Sequence, residues 1–336
     1  MKHFLSSYIF TICGFIFAYF WGEHVSAGTG WTCVFIAFVL SVLEVSLSFD
    51  NAVVNAMKLE KMSPVWQHRF LTWGIIIAVF GMRLIFPIAI VAIFANLAPL
   101  DVVSMALTDS AKYAHYLHLT HAPIVTFGGA FLMMLFLSYF FNGKKATHWL
   151  PVEKHFAKIG DIKGLETIIV LIFIFCILFE IPQETKLSVI LSGVSGIIIF
   201  LLIDELSAKL EEKESLSLVA KGSGLTSFLY LELIDASFSL DGVLGAFALS
   251  RDVVIIMIGL AVGAFFVRSL TLLMVEKKTL TKFVYLEHGA HWAIGLLAFI
   301  MFISTFAEIP EVITGLTGLI FIISALVSSI LKNRKA

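Results

Sequence analysis

The sequence predicts an all-α polytopic membrane protein with about ten transmembrane helices. Three observations lead there. Of 336 residues, 59% are hydrophobic and 14% charged, richer in apolar and poorer in charged residues than ordinary soluble domains. The apolar residues gather into ten runs, each long enough or nearly so to cross a hydrocarbon core of about 30 Å: 4–20, 31–57, 71–94, 122–141, 166–181, 187–204, 225–250, 252–274, 291–306 and 310–331. If every run spans, the loops alternate sides and the basic residues segregate. One side carries almost all of them, from Lys2 through Lys58, Lys61 and Arg69 to Lys332, Arg334 and Lys335, whereas the other holds only Lys112, Lys186 and Arg251. Positive charge marks the cytoplasmic side, so both termini are expected in the cytoplasm and the protein in the cell (inner) membrane.

The first run follows Lys2 and precedes Val25-Ser26-Ala27, a pattern that resembles a cleavable signal. It is long for such a segment, and a retained first helix is the expectation. Cys13, Cys33 and Cys176 are isolated within apolar runs, so neither disulfides nor a thiolate metal site is expected.

The second run holds the segment around which the chain is organised, Glu44-Val-Ser-Leu-Ser-Phe-Asp50-Asn51. Charge inside a bilayer costs at least about 2.5–3.5 kcal/mol, which makes such residues functional candidates. Glu44 lies near the middle of the run, and Asp50 about 9 Å further along a helix. On an unbroken helix Glu44, Ser48, Asn51 and Asn55 share one face, and Ser46 and Asp50 another. Polar residues at period two in an apolar run predict a local break. The seventh run repeats the frame acid-x-Ser-x-Ser-x-Asp as Asp235-Ala-Ser-Phe-Ser239-Leu-Asp241.

The repeat extends to neighbouring runs. The third carries Gly74-x5-Phe80-x2-Arg83, and the eighth Gly259-x5-Phe265-x2-Arg268. The fourth carries Gly129-x6-Phe136-x-Ser138, and the ninth Gly295-x6-Phe302-x-Ser304. Runs two to four and seven to nine therefore form two three-helix repeats. They cross the membrane in opposite senses, an inverted pair of the kind from which transporters are built. The expected organisation is a first helix and outer loop (1–30), repeat one (31–141), loops with the fifth and sixth runs (142–224), repeat two (225–306), and a last helix with its tail (307–336). Arg83, too deep to reach water, is expected to pair with a carboxylate, and Arg268 lies nearer a helix end.

Within these runs Glu44, Asp50, Glu232, Asp235 and Asp241 face only Arg83 and Arg268. The surplus of negative charge calls for protons or a bound cation. Carboxylates, serine hydroxyls and an amide are hard oxygen donors, suited to Mn²⁺, Ca²⁺ or Mg²⁺. The expected metal ligands are Glu44, Ser48, Asp50, Asn51, Asp235, Ser239 and Asp241, with Arg83, Arg268 and Glu232 in ion-pair or gating roles. The cation is cargo, and no prosthetic group is implied. Outer-loop His115, His118 and His121, with Asp101 and Asp109, form a second candidate cluster; Glu287, His288 and His291 open the ninth run as an entry site or proton relay.

The paired motifs, with Asp50-Asn51 in the first and Asp235-x5-Asp241 in the second, resemble the TerC-like integral membrane proteins, which are grouped with LysE-type exporters. The likeness covers about 31–306. It implies a divalent-cation exporter, manganese favoured, with the motif acids as ligands. The flanking helices and doubled serines point to a separate branch of that family. The sequence admits two other readings. An intramembrane aspartyl protease would use two carboxyls sharing a proton, but Asp241 sits in Ser-Leu-Asp-Gly rather than Gly-x-Gly-Asp. A non-transporting partner in membrane-protein assembly or metallation is the other. No nucleotide loop, zinc-protease helix or nucleophile elbow is present, so an enzyme is not expected. The lipid bilayer and a divalent cation are the expected partners, and nothing suggests nucleic acid.

Overall fold

The computed structural model describes residues 4–94, 97–141, 148–160, 162–216, 224–225, 227–235, 246, 249–250, 252–307, 309 and 311–335. Helix dominates, and no strand occurs among the described residues. The helices are α1 (Leu5–Val25), α2 (Gly30–Leu47), α3 (Phe49–Lys61), α4 (Pro64–Ile76), α5 (Phe86–Phe94), α6 (Pro99–Thr108), α7 (Ser110–Leu119), α8 (His121–Phe141), α9 (Pro151–Ile159), α10 (Leu165–Ile177), α11 (Gln183–Leu216), α12 (Val253–Glu276), α13 (Thr279–Lys282), α14 (Leu286–Ser304) and α15 (Glu311–Lys335). A π-helical segment, Ile77–Ile85, joins α4 to α5 without a gap. Residues 227–235 are also helical.

Six of these helices are long and apolar enough to cross a membrane, or seven if α2 and α3 count as one bent span. The chain is a multi-pass α-helical membrane protein. Its exposed surface supports this: Leu5, Ile9, Ile12, Ile16 and Phe20 of α1 and Leu316, Ile320 and Ile323 of α15 all face outward. Water would not tolerate such patches on a monomer, whereas lipid does. The third, fifth and seventh runs are not among the six, and residues 236–245 of the seventh lie outside the described residues. The third is divided into α4, the π segment and α5, and the fifth is the short α10.

Two helices form the interior. α8 is buried nearly all round, packed between α11, α14 and α10. α12 is held by α2, α1 and α3. A helix apolar on every face belongs in such a position. α1 docks on α12 through polar contacts at both ends. Ser7 Oγ lies 2.7 Å from Ser269 Oγ and donates to the Phe265 carbonyl at 2.8 Å. Trp21 Nε1 donates to Asp252 Oδ2 at 2.8 Å, while Asp252 Oδ1 caps α12.

Small residues set the close contacts, as expected where packing rather than the hydrophobic effect joins helices. A Cβ on Gly129 of α8 would meet Met301 Cβ and the Ala298 carbonyl of α14 at 3.2 and 3.3 Å. A Cβ on Gly295 of α14 would strike the Phe136 ring of α8. The contact is reciprocal: the glycine of each helix faces the other's Phe-bearing segment, about two turns beyond that helix's own glycine.

A buried polar node pins α9 to the start of α14. Glu153 is 1% exposed. Its Oε1 accepts from Trp292 Nε1 at 2.9 Å, and its Oε2 accepts from the Trp149 backbone N–H at 2.7 Å and lies 2.9 Å from His288 Nδ1. Burial pushes the carboxyl's pKa up, but the donors from His288, Trp292 and Trp149 outweigh it and hold the group below its ordinary value of 4.5. A depressed carboxylate adds stability that is present above the unfolded-state pKa and lost as pH falls through the folded one. Melting temperature is therefore expected to drop between about pH 5 and pH 3 in the wild type and to change less over that window in Glu153→Gln. Equal slopes would mean that Glu153 is not among the groups protonated on acid unfolding.

Candidate functional site

The second run breaks at Ser48. That residue has φ −100° and ψ 16°, outside helical geometry, and separates α2 from α3. The segments Gly30–Ser46 and Asn51–Glu60 diverge by 55°. Backbone bonds still bracket the break, from Ser48 N–H to the Glu44 carbonyl at 2.9 Å and from Ala52 N–H to the Ser48 carbonyl at 3.1 Å. The bend therefore leaves these two backbone groups satisfied.

Helical spacing sorts the polar residues as expected. Glu44, Ser48, Asn51 and Asn55 are all buried, at 1%, 6%, 2% and 5% exposure. Ser46 is exposed, and its hydroxyl donates back to the Val42 carbonyl at 2.8 Å, the common fate of a helical serine. The side chain of Asp50, and all of Ser239 and Asp241, lie outside the described residues.

Arg83 reaches Glu44. Its Nη2 donates to Glu44 Oε1, and its Nη1 to the Ala78 carbonyl within the π segment. Ser48 Oγ donates to the same Glu44 oxygen at 2.8 Å. Glu44 is also wedged from behind: a Cβ on Gly263 of α12 would lie 2.5 Å from Glu44 Cβ and 2.9 Å from the Ser41 carbonyl. Segments of π-helix are rare and cluster at functional sites; here one carries the buried arginine.

The two acidic motifs meet. Asn51 Nδ2 donates to Asp235 Oδ1, although the residues are 184 apart in sequence. Beside this bond is a small cavity bounded by Ser48, Asn55, Arg83, Asp235, Arg268 and Thr271. Asn55 Oδ1 is buried there and has no hydrogen-bond partner among the described residues. Asn55 was placed on this face by its spacing but was not counted among the candidate ligands; Thr271, on the facing helix, had no distinguishing sequence signal.

Arg268, in the C-terminal half of α12, is buried, 7% exposed. Its guanidinium lies 3.8 Å over the Phe70 ring, a cation–π contact worth about 2 kcal/mol when desolvated. Glu232 is its nearby carboxylate. Both meet at Gly74, where a Cβ would collide with Arg268 Nη2 and lie 2.5 Å from Glu232 Oε1. Gly74→Ala is accordingly expected to destabilise the protein by about 1–3 kcal/mol, the usual cost of overpacking. Thermal unfolding in detergent measures it; a melting temperature equal to the wild type's would show that the two side chains give way freely.

The other histidine-bearing segments do not join this site. His115 and His118 are exposed on α7, and His288 and His291 belong to the α9–α14 node, where His291 stacks on Tyr139 with centroids 3.4 Å apart. No group of three or more His, Cys, Asp or Glu side chains placed to hold a metal is found among the described residues.

A family model described as "protein of unknown function (DUF475)" matches residues 49–336. The chain belongs to the DUF475 family. No curated protein and no solved structure matches it. The family match takes in Asn51, Arg83, Asp235 and Arg268, and begins after Glu44 and Ser48.

Proposed function

We propose that this DUF475 protein is a divalent-cation transporter, with Mn²⁺ the favoured cargo, exporting by alternating access and driven by inward proton movement. The observation that carries the proposal is the Asn51–Asp235 bond, which joins the two acidic motifs beside a cavity bounded by Ser48 and Asn55. Hydroxyl, amide and carboxylate oxygens are the donor set of a hard cation. The unpartnered Asn55 Oδ1 is what a cation or its hydration water would satisfy. Glu44, Ser48, Asn51 and Asp235, with Asp50, Ser239 and Asp241, are the ligands in this reading, and Arg83, Arg268 and Glu232 balance charge.

The reading takes the ten runs as spans and the two repeats as an inverted pair that rocks about the site. Two features support the pairing: the reciprocal Gly129–Met301 and Gly295–Phe136 contacts, and the placement of Gly74 against Glu232 while Gly259 lies against Leu40. The loop charges support cytoplasmic termini in the inner membrane. The resemblance to TerC-like exporters points the same way.

The test is Mn²⁺ flux into proteoliposomes with and without an imposed pH gradient. Uptake that rises with an opposing proton gradient is expected. Flux equal to that of empty liposomes would overturn the transport reading, and flux indifferent to the gradient would overturn the proton coupling.

A further inference from the structure

We infer that Arg83 is a tethered competitor cation which the cargo must displace, and that it sets the site's preference for doubly charged ions. The inference rests on the transport reading above and adds a role for one residue within it.

The geometry shows which partner is free to move. Glu44 is fixed from two directions, by the Gly263 contact on its Cβ and by the Ser48 hydroxyl on Oε1. Arg83 is held less firmly. Its Nε is buried without a hydrogen-bond partner, and Nη1 bonds only a carbonyl of its own helical segment. That segment, Ile77–Ile85, is π-helical, and a π segment that tightens to α rotates the residues beyond it relative to those before. Arg83 therefore has a local route off Glu44 that leaves α2 and α12 in place. When it leaves, Glu44 Oε1 and the Ser48 hydroxyl bonded to it become free for a cation, and Ser48 lies on the cavity wall with Asn55.

Charge selectivity follows. A bidentate-capable guanidinium already sits on the carboxylate in a buried, low-dielectric site. A singly charged, well-hydrated ion gains no charge advantage by replacing it. A divalent ion does, because it interacts twice as strongly with the same carboxylate. The arginine therefore lowers affinity for every cation but excludes monovalent ions most.

The experiment is equilibrium binding of Mn²⁺ to purified full-length protein in detergent, read from the electron paramagnetic resonance signal of the free ion. Wild type, Arg83→Gln and Arg83→Lys are each titrated in low and high NaCl. Arg83→Gln is expected to bind Mn²⁺ about tenfold more tightly or better, the size of one lost competing contact, and to lose that gain as NaCl rises beyond the wild type's own salt dependence. Lysine cannot hold Glu44 and Ala78 together as a fork does, so Arg83→Lys is expected to fall between the two. It also serves as the deciding variant if Arg83→Gln does not fold. Wild-type binding with both variants equal or weaker overturns the competitor role alone. No saturable Mn²⁺ binding by wild type or either variant overturns the transport reading and the inference with it.

Discussion

Glu44→Ala is expected to destabilise the protein by about 3–5 kcal/mol, because it leaves Arg83 buried without its carboxylate. Arg83→Ala is expected to cost a similar amount for the converse reason, with Glu44 then 1% exposed and unpaired by charge. Replacing both with apolar residues of matching volume, Glu44→Leu with Arg83→Met, is expected to recover most of the loss, since a removed buried pair is often neutral where a broken one is not. Unfolding midpoints in one detergent, compared across wild type, Glu44→Leu, Arg83→Met and the double variant, give the coupling. A double variant as unstable as the sum of the singles would mean that the two side chains do not act as a pair. If the proposed transport holds, Mn²⁺ flux is expected to be lost in the apolar double variant even when it folds, which separates the pair's structural part from its functional one.

Much of this arrangement was legible before any coordinates. That the chain is helical with several membrane-length spans follows from hydrophobicity alone, because lipid leaves a helix few other ways to satisfy its backbone. The face carrying Glu44, Ser48, Asn51 and Asn55 follows from a period of 3.6, and the break at Ser48 from polar residues placed at period two. That Arg83 needs a carboxylate follows from desolvation, but its choice of Glu44 does not, since several acids lie in apolar runs. Only packing decides, and Gly263 fixes the decision by bringing α12 onto Glu44. The π segment was not legible: Ile77–Ile85 contains no proline and reads as an ordinary apolar helix. The burial of Arg268 was not legible, because run length locates a helix but not what covers it. Here Phe70 and the missing Cβ of Gly74 make the burial possible. Glu153 was missed because its partners His288 and Trp292 are more than a hundred residues away. Its own stretch, charged and opened by Pro151, reads only as a solvated loop helix.

Asp235→Asn is expected to abolish most Mn²⁺ transport while leaving the fold intact. The substitution keeps the shape and an acceptor oxygen, so Asn51 Nδ2 still has a partner. What disappears is one negative charge beside the cavity that Ser48, Asn55 and Arg83 share. Second-layer partners of a metal already contribute about 10–100-fold to affinity, and a direct carboxylate ligand is expected to contribute at least that much. Mn²⁺ flux in proteoliposomes should therefore fall by about tenfold or more at sub-saturating metal, with a melting temperature near the wild type's. Asn51→Asp supplies the opposite perturbation: it sets a second carboxylate against Asp235 in a buried place, where like charges cannot both ionise cheaply. Its binding should be stronger at high pH and collapse as pH falls and the pair takes up a proton. If Asp235→Asn transports normally, the meeting of the two motifs is a packing contact and the cation passes elsewhere. If it fails to fold, the Asp235 charge is needed to hold the two acidic segments together, and Asn51→Asp then tests the ligand role through its pH dependence.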